Sequence, residues 1–359
     1  MAHNPMQSPM QSPKRSGQDL GEFGLIQSIF QASADAMAKT HPLDAPILGI
    51  GDDCAIIAAS EMDNLAVTSD MLIAGRHFFT DADPYLLGRK SLAVNLSDLA
   101  AMGAKPTGFT LALALPEAQQ NWLQSFAKGL FDVAKEFNCH LIGGDTCKGP
   151  LAISITAFGK IPRGQSILRS GAKVGDEIWV SNTVGDARLA LAAIQNEWPL
   201  NLSADEQSMI NVRLHSPTPR VELGMALRGV ASAALDISDG LLGDLKHVLK
   251  ASGVNAEINI DAIPCSSVLR KQILEIRRLC SACGGDDYEL CFTAHSSQNS
   301  HIEALSRQLN IPLTRIGSIT NKKDGDQSYM ILKDQSGKEL SLDETKKLLE
   351  SFDHFHPSS

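Results

Sequence analysis

Six short acidic motifs punctuate this chain, each where an apolar run ends or a helix face turns polar. They are Gly49-Ile50-Gly51-Asp52-Asp53-Cys54-Ala55, Thr68-Ser69-Asp70, Asn95-Leu96-Ser97-Asp98, Gly143-Gly144-Asp145-Thr146, Asp236-Ile237-Ser238-Asp239-Gly240 and Gly284-Gly285-Asp286-Asp287-Tyr288-Glu289. Carboxylates in such half-buried places are costly unless they are paired or bind a metal. Any one motif alone reads as a glycine turn or a helix cap, and Asp145 and Asp239 have the look of caps. As a set they contain no lysine or arginine to pair with. The fold therefore has to gather several acidic segments into one cleft that holds cations.

At 359 residues the chain exceeds the usual size of one core, which predicts two domains. A net charge of -9 argues against nucleic acid as a partner, because that requires a basic face. No apolar run of about eighteen residues is present to span a bilayer, and the start lacks the basic and apolar regions of a secretory signal. Seven scattered cysteines fit reduced thiols in the cytoplasm. Cys280-x-x-Cys283 has no second pair at zinc spacing and reads as packing.

Residues 1–18 repeat Met-Gln-Ser-Pro and read as a disordered tail. From Gly21, helical spacing of Phe23, Ile26 and Phe30 opens the fold. A strand over 64–68 delivers Ser69 and Asp70 at its end. Asp83-Pro84 starts a helix to about Met102 that carries Ser91, Asn95 and Asp98 on one face. A strand over 109–115, an amphipathic helix over 116–138, a short strand over 139–142 and a strand over 151–158 complete the first half. The division is expected at 162: residues 19–161 form an N-terminal domain, and residues 162–359 a C-terminal α/β domain. The second half repeats strands (177–181, 233–237, 256–260, 288–293, 313–319, 329–332) among helices (184–196, 220–228, 241–251, 301–309, 343–352). Strands interspersed with helices in both halves give two α/β (α+β) domains.

Gly49 to Cys54 approaches a dinucleotide loop, but Cys54 stands in the place of its third glycine. Asp52 and Asp53 would also meet a pyrophosphate with like charge. All-oxygen ligands suit Mg²⁺ or Mn²⁺. Mg²⁺ takes one or two carboxylates and shares its other positions with water and phosphate, so several carboxylates fit several Mg²⁺ ions around a polyphosphate. No P-loop and no protein-kinase catalytic set is present. Arg169 is a candidate phosphate ligand.

Together these motifs resemble the thiamine-monophosphate kinase family of the aminoimidazole-ribonucleotide-synthetase-like superfamily. The resemblance runs from Gly21 to Phe355 and includes Arg169-Ser-Gly-Ala-Lys173 and Gly284-Gly-Asp-Asp-Tyr-Glu-Leu290. It implies ATP and thiamine monophosphate as substrates, several Mg²⁺ ions, and a homodimer formed through the strands of the N-terminal domain. By motif, Asp53, Thr68, Ser69, Asp70, Asp98, Asp145, Asp236 and Asp239 would hold Mg²⁺. Gly144, Asp145, Arg169 and Ser238 would contact ATP. His77, Asp286 and a C-terminal aromatic, Phe352 or Phe355, would meet the thiamine phosphate. No residue is expected to act as general base; the metal cluster would carry catalysis. Two alternatives are another ATP-using member of the superfamily and a non-catalytic nucleotide-binding module. A selenophosphate synthetase would need a reactive cysteine near the start, and none precedes Cys54.

Overall fold

The computed structural model describes residues 26–40, 61–322 and 330–349. The motif holding Asp53, both C-terminal aromatics and the tail lie outside those residues. After a π-helical turn, Ile26–Gln31, comes α1 (Ala32–Thr40). A four-stranded sheet follows, built from β1 (Asp63–Ile73), β2 (Lys105–Leu115), β3 (His140–Lys148) and β4 (Ala152–Pro162) in the order β1-β4-β2-β3. β4 is antiparallel to both neighbours, and β2 and β3 are parallel. Alternation on β4 buries Ile153, Ile155, Ala157 and Ile161 on one face.

That face is covered by α2 (Pro84–Ala101) and α3 (Gln120–Glu136). Asp83 caps α2 as its sequence predicts, its Oδ1 accepting from the Leu86 N–H at 2.9 Å, with Pro84 next. The two helices meet at backbone distance. A Cβ on Gly88 would stand 2.1 Å from the Phe126 carbonyl oxygen, and one on Gly129 1.9 Å from that of Tyr85. This close approach sinks α2 into the protein, with Leu92, Leu96 and Leu99 fully buried. Each such leucine contributes about 1.5–3 kcal/mol of burial.

The second sheet contains β5 (Glu177–Ser181), β6 (Ala233–Asp236), β7 (Asn255–Asn259), β8 (Leu290–Ala294), β9 (Leu313–Thr320) and β10 (Met330–Lys333), in the order β10-β7-β9-β5-β8-β6. Among its neighbours only β7 and β10 are parallel. Its helices are α4 (Asp186–Gln195), α5 (Ala204–His215), α6 (Val221–Ala226), α7 (Leu241–Ser252), α8 (Ser267–Arg270), α9 (Leu274–Cys283), α10 (Asn299–Leu309) and α11 (Leu342–Leu348). One core runs from the first sheet through α2 and α3 to Trp179, Ala234 and Phe292 of the second. A separate cluster joins Ile178, Val180, Leu235 and Cys291 to α7. α2 is therefore shared between the two sheets, and both of its ends bear on function.

Several elements differ from the sequence-based expectation. α5 and α9 were not expected. α5 buries only Ile210 and Leu214, too few to show a period, and α9 uses Cys280, Ser281 and Ala282 as its buried residues. Cys280 and Cys283 both lie on α9, and Cys280 packs in a core cluster with Leu269. β1 continues to Ile73 and β3 to Lys148, so Asp70 and Asp145 lie within strands rather than at strand ends.

Candidate active site

β1 alternates, and its two faces have different company. Thr68, Asp70 and Leu72 point toward α2, where the Thr68 hydroxyl donates to Asp98 Oδ2. Ser69 points the other way; its hydroxyl meets Thr156 Oγ1 at 3.0 Å and donates to the Ile155 carbonyl at 3.3 Å. The structure thus separates the side chain of Ser69 from Thr68 and Asp70, with which the sequence motif had grouped it, because neighbours on a strand face opposite sides.

Next to Asp98 on α2, Ser97 donates to Asp236 Oδ2 at 2.7 Å, although the two are 139 residues apart. α2 therefore links β1 of the first sheet to the end of β6 in the second. Burial, and then the charge of Asp98, push the Asp70 carboxyl up to about 6 and the Asp236 carboxyl up to about 8. Burial also raises Asp98, against the lowering effects of the Thr68 hydroxyl and the Arg169 charge. Three carboxylates from three elements stand close enough to repel one another. One turn before Asp98, the buried Asn95 leaves its Oδ1 without a hydrogen-bond partner.

The segment after Asp236 is held by Asp244, a residue sequence reasoning missed. Its Oδ2 accepts from the backbone N–H groups of Ser238, Asp239 and Gly240 at 3.0, 3.1 and 3.1 Å. Asp244 is thus the acceptor that Asp239 was expected to be, and Gly240 occupies the cap position of α7. Burial and the charge of Asp239 push Asp244 up to about 7, against those three bonds. The only sequence signal was an acid in the first turn after a glycine, a common surface feature.

The loop before β8 runs alongside. Asp286 N–H donates to the Ser238 carbonyl, and Tyr288 N–H to that of Ile237, both at 2.8 Å. Burial, and then the charges of Asp286, Asp236, Asp70 and Asp239, raise the Tyr288 phenol, which sits among them. Asp286 accepts from Lys90 Nζ at 2.7 Å. Arg169 is exposed and its charge reaches Asp98.

Other expected site residues stand apart. Gly144 and Asp145 lie on β3, the sheet edge opposite β1. Three strand spacings separate those edges, roughly 14 Å. His77 lies beyond the end of β1, where its Nδ1 accepts from the Ile73 N–H at 3.0 Å. Among the described residues no three His, Cys, Asp or Glu side chains close into a metal cage on their own. The donor set is nevertheless oxygen-only, and among the described residues Asp70, Asp98 and Asp236 form no salt bridge. Such a set fits Mg²⁺ that takes its remaining ligands from phosphate.

Residues 51–161 match the model of the AIR synthase related protein N-terminal domain, and residues 173–328 that of the C-terminal domain. A thiamine-monophosphate kinase from Salmonella typhimurium is 44% identical over 85% of this chain and 92% of its own. The crystal structure of a thiamine-monophosphate kinase from Stenotrophomonas maltophilia matches with a TM-score of 0.76 and 46% identity, covering 82% of this chain and 96% of that one. A structure described as AaThiL complexed with AMPPCP and TMP matches with a TM-score of 0.66 and 28% identity, over 93% of this chain and 97% of that one.

Proposed function

The chain belongs to the thiamine-monophosphate kinase family of AIR synthase related proteins, and on that premise we propose how its residues divide the work. Its activity is the ATP-dependent phosphorylation of thiamine monophosphate to thiamine diphosphate. The observation that carries the residue assignment is the convergence of Asp70, Asp98 and Asp236, from both halves of the chain, on one side of α2.

Asp53, Thr68, Asp70, Asp98, Asp145, Asp236 and Asp239 would hold Mg²⁺, with Gly144, Asp145, Arg169 and Ser238 on ATP. His77, Asp286 and Phe352 would face thiamine monophosphate. Bound Mg²⁺ supplies the charge neutralisation that lets two phosphate groups approach. The attacking atom is an oxygen of the acceptor phosphate, whose second pKa of about 6 leaves it ionised near neutral pH without a general base. That oxygen forms a bond to the γ-phosphorus while the β–γ bridge breaks and ADP leaves, in line. Arg169, exposed beside Asp98, is placed to hold a phosphate oxygen. Purified protein with ATP, Mg²⁺ and thiamine monophosphate is expected to form thiamine diphosphate and ADP in equal amounts; no product at saturating substrates would overturn the assignment.

The outer face of the first sheet supports a homodimer. Leu65, Val67 and Met71 on β1 are each more than half exposed, and Ile73 continues the stripe. An apolar face on an edge strand is an interaction surface. Packing two such sheets together, with β3 of one copy beside β1 of the other, would bring the partner's Asp145 toward Asp70 and account for their separation within one copy. The double substitution Val67→Asp, Met71→Asp is expected to yield a monomer by light scattering, with turnover reduced by about 10²-fold or more. A fully active monomer would remove the shared site. No helix among the described residues is long and apolar enough to cross a membrane. We place the protein in the cytoplasm with its substrates.

A further inference from the structure

Lys90 is a buried cation that the acidic site does not explain. It lies on α2 two turns before Asp98, its side chain only 5% exposed, and its ammonium bonds Asp286 Oδ1 at 2.7 Å across 196 residues of chain. Long charged side chains are almost never buried without a reason. Asp286 is its only salt-bridge partner among the described residues, and it is different in kind: its side chain is 34% exposed, so solvent or a ligand reaches it. The Tyr288 hydroxyl stands 3.4 Å from the same Oδ1.

What lies beside the pair is apolar. Leu86, one turn before Lys90, lines a groove of about 480 Å³ with Ala204, Gln207, Ser208, Asn211, Val212 and His215. His215, which lines the groove, feels both charges of the pair: burial and then the Lys90 charge lower its imidazole, while Asp286 raises it. The groove falls within the size range of small-molecule sites, about 300–1,000 Å³. From one end to the other, this side of α2 presents an apolar groove, a cation with its anion, and then the metal-seeking carboxylates.

The acceptor has charges to match. Thiamine monophosphate carries a fixed positive charge on its thiazolium ring and negative charge on its phosphate, so it is itself an internal ion pair. We propose that Lys90 is a specificity-determining residue that binds the acceptor phosphate, exchanging Asp286 for it, while Asp286 turns to the thiazolium cation. The proposal rests on the thiamine-monophosphate kinase reading of the site. The pair holds opposite charges in place before the substrate arrives. Binding then replaces one ion pair with two, so the buried Lys90 charge is not left uncompensated at any stage. Unphosphorylated thiamine satisfies Asp286 but leaves Lys90 without an anion, so the pair selects for the phosphorylated acceptor.

Calorimetry of wild type, Lys90→Met and Lys90→Arg with thiamine monophosphate and with thiamine, in Mg²⁺ and a non-transferable ATP analogue, tests this. Wild type is expected to prefer the monophosphate. Lys90→Met should weaken its binding about 10- to 100-fold, the loss of a charge-assisted hydrogen bond, while thiamine binding changes less than about threefold. Lys90→Arg should restore most of the preference. Steady-state kinetics should show KM for thiamine monophosphate rising with KM for ATP unchanged. Equal weakening of both ligands, or a wild type without preference, would overturn the role of Lys90. A thermal melt distinguishes misfolding, and if Lys90→Met does not fold, Lys90→Arg against Asp286→Asn decides. Asp286→Asn should weaken both ligands, and if it spares thiamine the proposal fails. A wild type that prefers the monophosphate but forms no diphosphate would retain Lys90 and refute the kinase activity instead.

Discussion

Asp98→Asn is expected to lower kcat by about 10²–10³-fold or more while raising the melting temperature of the metal-free protein. The two effects have one cause. Asp98 stands between Asp70 and Asp236, and its charge raises both carboxyls. Burial raises Asp98 itself. Without a cation, this arrangement costs stability, and removing the central charge relieves it. Asparagine keeps an oxygen to accept from Thr68, so the fold has no reason to change. With substrates bound, the same charge would hold Mg²⁺ against two phosphate groups on the proposed assignment. A structural aspartate would show the opposite pattern, with lower stability and modest kinetic loss.

The pH dependence sharpens this test. Asp70 and Asp236 titrate near 6 and 8 in the folded chain, above the ordinary value of 3.8, so the folded state binds more protons than the unfolded one through that window. Stability of the metal-free protein therefore falls as pH rises from about 5 to 8. Added Mg²⁺ should stabilise more at pH 8 than at pH 6, where protons compete for the same oxygens. Asp98→Asn should make the metal-free slope shallower without abolishing it, because burial still raises both carboxyls once the Asp98 charge is gone. An unchanged slope would mean that the three carboxylates do not interact.

Legibility in the sequence followed the physical scale of each signal. Asp83-Pro84 fixed the start of α2, because a cap is a local event. That α2 would bridge two sheets was not local; it depends on Ser97 meeting Asp236 and on Gly88 and Gly129 letting two helices touch. The motif at residues 284–289 was read for its acidity, yet its carboxylates divide by position. Asp286 is partly exposed and pairs with Lys90, whereas Asp287 accepts from the Gly185 N–H at 2.9 and 2.8 Å and Glu289 is fully buried. Composition cannot separate a carboxylate that binds a substrate from one that anchors a loop. Only the partners do, and those come from segments 69 to 196 residues away. Ser69 is a similar case: adjacency in sequence suggested a shared ligand, and strand alternation placed it on the other side.

Glu289 gives the largest stability prediction. Its Oε1 accepts from Arg213 at 2.7 Å, from Arg220 at 2.5 Å and from Asn182 at 3.0 Å, and its Oε2 from Arg220 Nε and Ser181, both at 2.6 Å. Every one of these partners is a donor. Glu289→Gln keeps the shape but turns one acceptor into a donor facing donors, and it leaves two arginines without their shared anion. Burial lowers the Arg213 guanidinium, and the charges of Glu289 and Asp287 outweigh that effect. Breaking a buried pair by removing one partner costs about 3–5 kcal/mol. For a chain of 359 residues that corresponds to a melting temperature lower by roughly 4–7 °C. Function should shift in a particular order. Asp286 and Tyr288 both hold left-handed backbone, at φ 65° and 50°, on either side of the anchor Asp287, and Glu289 follows as the second anchor. Loosening the second anchor lets that strain relax, so KM for thiamine monophosphate should rise before KM for ATP does. If Glu289→Gln melts as wild type does, the network is not holding the loop. If both KM values rise together, the loop is not specific to the acceptor, and Asp286 loses its assignment.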